Sequence, residues 1–117
     1  MKYLALVLFL VACDTPSGST CPTANAPTYD SFGKQFMETY CLDCHSSKAT
    51  NRHDAPKGLD FDTEADIKAH LDDIDYEAAA GPNATNTSMP ERSPNVQMMP
   101  TKDERVLLGQ FLACEKQ

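Results

Sequence analysis

The stretch Cys41-Leu42-Asp43-Cys44-His45 decides the fold. It places two thiols three residues apart and an imidazole directly after the second thiol. Thioether bonds at this spacing fix the edge of a porphyrin, and the next side chain is then directed at the iron as its proximal ligand. The pattern is therefore typical of covalent attachment of one haem c through Cys41 and Cys44, with His45 on the iron.

Two other interpretations of these residues stay open. A Cys-x-x-Cys pair also occurs in thioredoxin-like redox proteins, but it lies there in a strand-helix-strand setting, which this sequence does not predict. A zinc site is chemically possible because thiolates and imidazoles suit zinc. Its ligands would be Cys41, Cys44, His45 and His53. The zinc interpretation has weaker support because the chain has no second Cys-x-x-Cys pair.

Two helices are predicted in the region around this motif. Asp30 and Ser31 offer an N-cap to a first helix over about 31–44, which would end at the cysteine motif. A second periodic stretch begins near residue 63 and runs to about 76–80. Its apolar face consists of Ile67, Leu71 and Ile74, with His70 beside them.

A third helix is predicted at the end of the chain. It begins after Pro100 with a capping box from Thr101 to Glu104. Its apolar face consists of Leu107, Leu108, Phe111 and Leu112. Residues 81–100 show neither a helical nor a strand period, so they are predicted as a long loop, which in a compact domain is usually functional. No strand pattern is present, and the predicted fold class is all-α.

The N-terminal segment has the pattern of an export signal. Lys2 precedes an apolar run over residues 3–12, which is too short to span a bilayer but long enough for a signal peptide. The run ends in Leu10-Val11-Ala12-Cys13, which resembles the lipobox of bacterial lipoproteins, where the cysteine is lipidated and becomes the N-terminus. An ordinary secretory signal with an incidental Cys13 is the alternative. Either way we expect export, to the periplasm or the cell envelope.

The domain boundaries follow from this signal and from composition. Residues 1–12 are the expected signal peptide, and a lipid on Cys13 would anchor the chain to a membrane. Residues 13–28 consist largely of small polar residues and proline, so they are predicted as a flexible tether. The folded domain is expected to span 29–117.

The charge balance limits the choice of partners. The 117 residues include 17 acidic and 10 basic side chains, for a formal net charge of −7. Such a chain lacks the basic surface that phosphate backbones attract, so nucleic-acid binding is not expected. The acidic residues between 60 and 77 are explained most simply as a solvated face. They could also steer a redox partner protein with a basic docking surface.

From about residue 29 to 114 the chain resembles a small class I cytochrome c domain. The resemblance rests on the cysteine motif, on a helix crossing and on a Met-Pro pair in the long loop. In that family a glycine and an aromatic residue on the first helix cross an apolar and an aromatic residue on the last. The corresponding residues here are Gly33, Phe36 and Met37 against Leu108 and Phe111. The resemblance implies a three-helix domain wrapped around a covalently bound haem, with long irregular loops.

The same resemblance implies a distal iron ligand in the loop over 81–100. Met89, followed by Pro90, is the favoured residue, because the proline would hold the backbone extended and present the methionine. The alternatives are Met99, Met98 and His70.

With His45 and Met89 on the iron, the implied function is electron transfer without enzymatic activity. An open or displaceable sixth position would instead indicate a haem sensor or a peroxidase-like domain. A haem-free metal-binding lipoprotein is the third interpretation.

The five cysteines fit this picture. Cys13 is assigned to lipid and Cys41 and Cys44 to haem, which leaves Cys21 and Cys114. In an oxidising compartment these two are expected to form a disulfide, and two unpaired thiols are the alternative.

Overall fold

The computed structural model describes residues 15–117, so the expected signal peptide and the lipidation site at Cys13 lie outside the described residues. The described part of the chain is mainly helical. It forms a π-helical turn (Tyr29–Gly33) and the helices α1 (Lys34–Tyr40), α2 (Glu64–Lys68), α3 (Leu71–Ala78) and α4 (Lys102–Glu115). Within residues 15–117 there is no β-strand, only two isolated bridges, in agreement with the predicted all-α class.

The first helical segment begins earlier and ends earlier than the sequence predicts. Thr28 is its N-cap: the Thr28 hydroxyl accepts from the backbone N–H of Ser31 at 3.0 Å, and Ser31 Oγ accepts from Thr28 N–H at 2.9 Å. Helix α1 stops at Tyr40 and not at residue 44. The cysteine motif therefore forms a turn after the helix, in which the N–H groups of Cys44 and His45 both donate to the carbonyl of Cys41.

The prediction of a single second helix is wrong, because the chain breaks between α2 and α3. A capping box between Thr63 and Asp66 starts α2. His70 then leaves the helical conformation, with φ −135° and ψ 27°, and its ring lies edge-on to Phe61 with centroids 6.0 Å apart. Ile67 and Ile74 of the predicted apolar face are nevertheless both buried, one on each side of the break.

The core forms where the π-turn packs against α4, with α1 continuing directly from the π-turn. Phe36 and Met37 from α1 and Leu108 and Phe111 from α4 are all buried in one cluster. Gly33 lies directly against the ring of Phe111, which lets the two backbones approach closely. These five residues are the ones that the resemblance places in contact.

Helix α4 has the predicted start but a different apolar face. Thr101 Oγ1 accepts from Glu104 N–H at 3.1 Å, and the Glu104 carboxylate accepts from Thr101 N–H at 2.7 Å, which completes the capping box. The periodicity places Leu107 on the buried face, but Leu107 is 40% exposed. Arg105 is the buried residue of this turn, with 4% exposure.

Residues 15–21 pack on the domain, so the predicted flexible tether does not extend through them. Ser17 is 1% exposed and donates to the carboxylate of Asp75 from its backbone N–H at 2.8 Å and from its hydroxyl at 2.5 Å. Ser19 Oγ donates to the carbonyl of Ala80. Hydrogen bonds therefore hold this segment in place.

This segment ends at a disulfide. The sulfurs of Cys21 and Cys114 are 1.97 Å apart and the Cα atoms 4.6 Å apart, across a sequence separation of 93. The bond joins the N-terminal segment to the last turn of α4. Cys41 and Cys44 are unpaired.

Candidate cofactor cavity

A cavity of about 610 Å³ opens beside the cysteine turn, between α3 and the loop that follows it. Its volume lies in the range of pockets that bind cofactors and other organic ligands. Four predicted site residues line it together: Cys41, Cys44, His45 and Met89. Most of the remaining wall is apolar or aromatic and includes Tyr40, Leu59, Phe61, Ile74, Ala78 and Val96. The cavity therefore combines two thiols, an imidazole and a thioether in one largely apolar space.

The His45 ring is held in a single tautomer. Its Nδ1 lies 2.8 Å from the carbonyl oxygen of Leu59, and because a carbonyl only accepts, Nδ1 carries the hydrogen. The lone pair is therefore on Nε2, the arrangement found in metal-binding histidines. The ring also stacks on Phe61, with centroids 4.8 Å apart, and is only 8% exposed. These two contacts fix both the tautomer and the orientation of the imidazole.

Arg52 supports this side of the cavity from behind, a role that the sequence does not indicate. Its guanidinium donates to the carbonyls of Ser46 and Pro56, each at 2.7 Å, and more weakly to Leu59 O at 3.4 Å. It also forms an ion pair with Asp60 at 2.7 Å. Arg52 thus holds the loop whose Leu59 carbonyl orients His45.

Met89 is fixed through its backbone. Its N–H donates to the carbonyl of Glu77 at 2.9 Å, and its carbonyl accepts from the Arg105 guanidinium at 2.7 Å. The Met89-Pro90 peptide bond is cis. These bonds hold one point of an otherwise irregular loop against α3 and α4.

The alternative distal ligands are elsewhere. Met98 is 79% exposed and Met99 is partly buried, and neither lines the cavity. His70 does not line it either, because its ring packs against Phe61 and its Nδ1 lies 3.4 Å from Asp73. Of the four candidates, the structure brings only Met89 into the cavity with His45.

The surroundings of the cysteine motif raise the pKa of both thiols. Burial raises the pKa of Cys41 to about 12, and the neighbouring Cys44 adds to this effect. The pKa of Cys44 is also raised, first by burial and then by the carboxylates of Asp43 and Glu91. Reactive redox cysteines need a lowered pKa because the thiolate is the nucleophile. The environment therefore disfavours a thioredoxin-like role.

A second cluster of ligating side chains lies at the edge of the cavity. Ligand atoms of Asp43, Cys44 and His53 lie within 4.8 Å of one another. This set differs from the predicted zinc ligands, because Asp43 joins it and Cys41 and His45 are not part of it. The Asp43 carboxylate accepts hydrogen bonds from Ser93 and Asn95, which connect the 81–100 loop to the cysteine turn. The same two bonds lower the pKa of the Asp43 carboxyl.

The charged groups on the cavity wall are acidic. The wall includes four carboxylates, those of Asp54, Asp73, Glu77 and Glu91, and no lysine or arginine among the described residues lines it. His53 is exposed and reaches the cavity edge. The charged side chains of the wall thus share the acidic balance of the whole chain.

Comparison of the chain with models of protein families, with curated proteins and with solved structures gives no match. Within residues 15–117 no helix is both long and apolar enough to cross a bilayer. The function is therefore argued from the cavity itself.

Proposed function

We propose that the chain is a monohaem c-type electron-transfer protein. In this proposal the haem is attached through Cys41 and Cys44, and its iron is bound by His45 and Met89. The observation that carries the proposal is that these four side chains line one cavity of about 610 Å³. Imidazole and thioether are together the axial ligands of electron-carrying c-type haems, in which the thioether raises the reduction potential.

The residues of the cavity suit this role. Haem, when bound, supplies one-electron redox chemistry. The Leu59 carbonyl keeps the lone pair of His45 on Nε2, and Phe61 restrains rotation of the imidazole. The apolar part of the wall would limit the access of solvent to the cofactor, which is one of the factors that set its reduction potential. Because His45 and Met89 would both bind the iron and leave no open position for a small molecule, the proposal includes no substrate and no enzymatic activity.

The location and partners are part of the same proposal. Haem c is attached outside the cytoplasm, so the chain is proposed to be exported and anchored at the cell envelope by lipid on Cys13. A disulfide between Cys21 and Cys114 suits an oxidising compartment. The carboxylates of the cavity wall suit a redox partner with a basic docking surface.

The test is a reduced-minus-oxidised absorption spectrum of the full chain, produced in a host with the haem c maturation system. The wild type should give a haem c spectrum and, when oxidised, a sulfur-to-iron charge-transfer band. Met89→Ala should abolish this band, and Met98→Ala should keep it because Met98 is 79% exposed. A band that persists in Met89→Ala contradicts the ligand assignment. A colourless protein contradicts the whole proposal. Carbon monoxide binding by the wild type would favour a haem sensor or peroxidase-like domain.

The cluster of Asp43, Cys44 and His53 supports one alternative, a haem-free metal-binding lipoprotein. In that case a transition metal such as zinc would bind the colourless protein, and His53→Ala would remove binding. Under the haem proposal Cys44 is consumed as a thioether, so His53→Ala leaves the haem spectrum unchanged. The two functions therefore predict opposite results for one variant.

A further inference from the structure

Arg105 occupies an unusual position for a charged residue. It lies on α4, is 4% exposed, and faces the end of α3 and the loop that follows. Its Nη1 donates to three backbone carbonyls: those of Ala78 at 2.9 Å, Asn86 at 3.0 Å and Met89 at 2.7 Å. One nitrogen thus joins the last residue of α3 to two points of the irregular loop.

The guanidinium has no acidic partner. Within residues 15–117 no carboxylate lies within ion-pair distance of it, so the backbone carbonyls are the groups that contact its charge directly. Removing a charge from water is costly unless hydrogen bonds compensate, and bonds from a charged donor are stronger than neutral ones. Arg105 and the three carbonyls therefore stabilise one another, and the loop is held in a single arrangement.

We propose that Arg105 is a positioning residue, which fixes the Met89 backbone so that the thioether serves as the distal iron ligand. This inference rests on the proposed function. Arg105 does not itself line the cavity, so it acts through Met89 and not by contact with the cofactor. Apart from Arg105, the Met89 backbone is held by the bond from its N–H to Glu77 O. Without Arg105, Met89 keeps that single link and its side chain samples positions away from the iron.

The experiment compares Arg105→Met with wild type and with Leu112→Ala, all as full-length holoprotein. Methionine keeps much of the buried volume of Arg105 but donates no hydrogen bond. Leu112 is a matched control because it is 1% exposed on the same helix and does not line the cavity. The readouts are the sulfur-to-iron charge-transfer band and the hydrogen exchange of the Met89 amide. Arg105→Met should lose most of the band and speed Met89 exchange about tenfold or more, because the local opening becomes easier.

The control separates positioning from general loss of stability. The two variants are compared at temperatures where the same fraction of each protein is folded. Under these conditions Leu112→Ala should keep the charge-transfer band. Equal loss of the band in both variants overturns the inference, and so does an unchanged band and Met89 exchange in Arg105→Met. If Arg105→Met does not fold, Arg105→Gln replaces it, since glutamine keeps a polar donor but is shorter than arginine and carries no charge. A full-strength band with wild-type exchange in Arg105→Gln then contradicts the inference. A wild type without the band overturns the proposed function first, which keeps the two failures distinct.

Discussion

Gly33 and Phe111 are in such close contact that a β-carbon on Gly33 would lie 2.5 Å from Cζ of the Phe111 ring. No side chain fits there without movement of the ring or of a helix. Gly33→Ala should therefore destabilise the domain by about 1–3 kcal/mol, the usual cost of overpacking a core. Chemical denaturation followed by circular dichroism measures this change.

A double-mutant cycle tests the cause of that loss. Phe111→Leu removes the far end of the ring, so the methyl group that Gly33→Ala adds no longer meets it. The cost of Gly33→Ala should fall by about 1 kcal/mol or more in the Phe111→Leu background, as expected for residues in direct contact. Additive effects of the two substitutions would show that the alanine acts by another route, such as helix propensity.

The disulfide should be a major source of stability. It closes a loop across a sequence separation of 93, and in the chain-entropy model a loop of this size contributes about 4–5 kcal/mol. The variant Cys21→Ser/Cys114→Ser should lose that amount in denaturant unfolding and should keep the cavity residues in place. Thr20→Ala, an exposed change next to the disulfide, is the control. An unchanged unfolding midpoint in the double variant would mean that hydrogen bonds such as Ser17 to Asp75 already order the segment.

The sequence predicts the fold best where local chemistry and packing agree. The capping box at Thr101 and the apolar spacing of Leu108 and Phe111 both indicate α4, and the helix begins where predicted. The break at His70 is not predictable from periodicity, because Ile67 and Ile74 keep a helical spacing across it. At the break the His70 ring packs edge-on against Phe61, a tertiary contact that the local sequence does not encode.

The candidate site also has a part that the sequence predicts and a part that it does not. Cys41, Cys44 and His45 are adjacent in sequence, so a motif is enough to group them. The support from Arg52 and Arg105 is not predictable in this way, because both act on backbone carbonyls, which carry no sequence signal. One clue to Arg105 exists: it stands three residues before Leu108, on the buried face of α4. A charged residue at such a position needs buried partners.

Acid sensitivity should be linked to Asp62. Burial raises the pKa of this carboxyl, but bonds from the Ser46 hydroxyl at 2.5 Å and the Ser47 N–H at 2.8 Å, with the nearby Lys48 charge, outweigh it, so the net shift is downward. A lowered folded-state pKa adds stability above the ordinary value of 3.8. That stability is lost as the pH falls through the folded-state pKa. Asp62→Asn should therefore be less stable than wild type at pH 7, with a difference that shrinks below about pH 4. Thermal melts across this range measure it, and a constant difference would exclude the linkage.

The carboxylates of the cavity wall should control electron exchange with charged reagents. Under the proposed function, a cationic oxidant should react with the reduced holoprotein more slowly as salt is added, because screening weakens its attraction. An anionic oxidant should show the opposite trend. Glu77→Gln/Glu91→Gln removes two of the four wall carboxylates and should flatten both salt dependences. Glu38→Gln on α1 is the control, since Glu38 is exposed and does not line the cavity. Stopped-flow measurements give the rates. If the salt dependence changes by the same amount for each carboxylate removed, at Glu38 as at Glu77 and Glu91, net charge alone steers the reagent and the cavity wall does not.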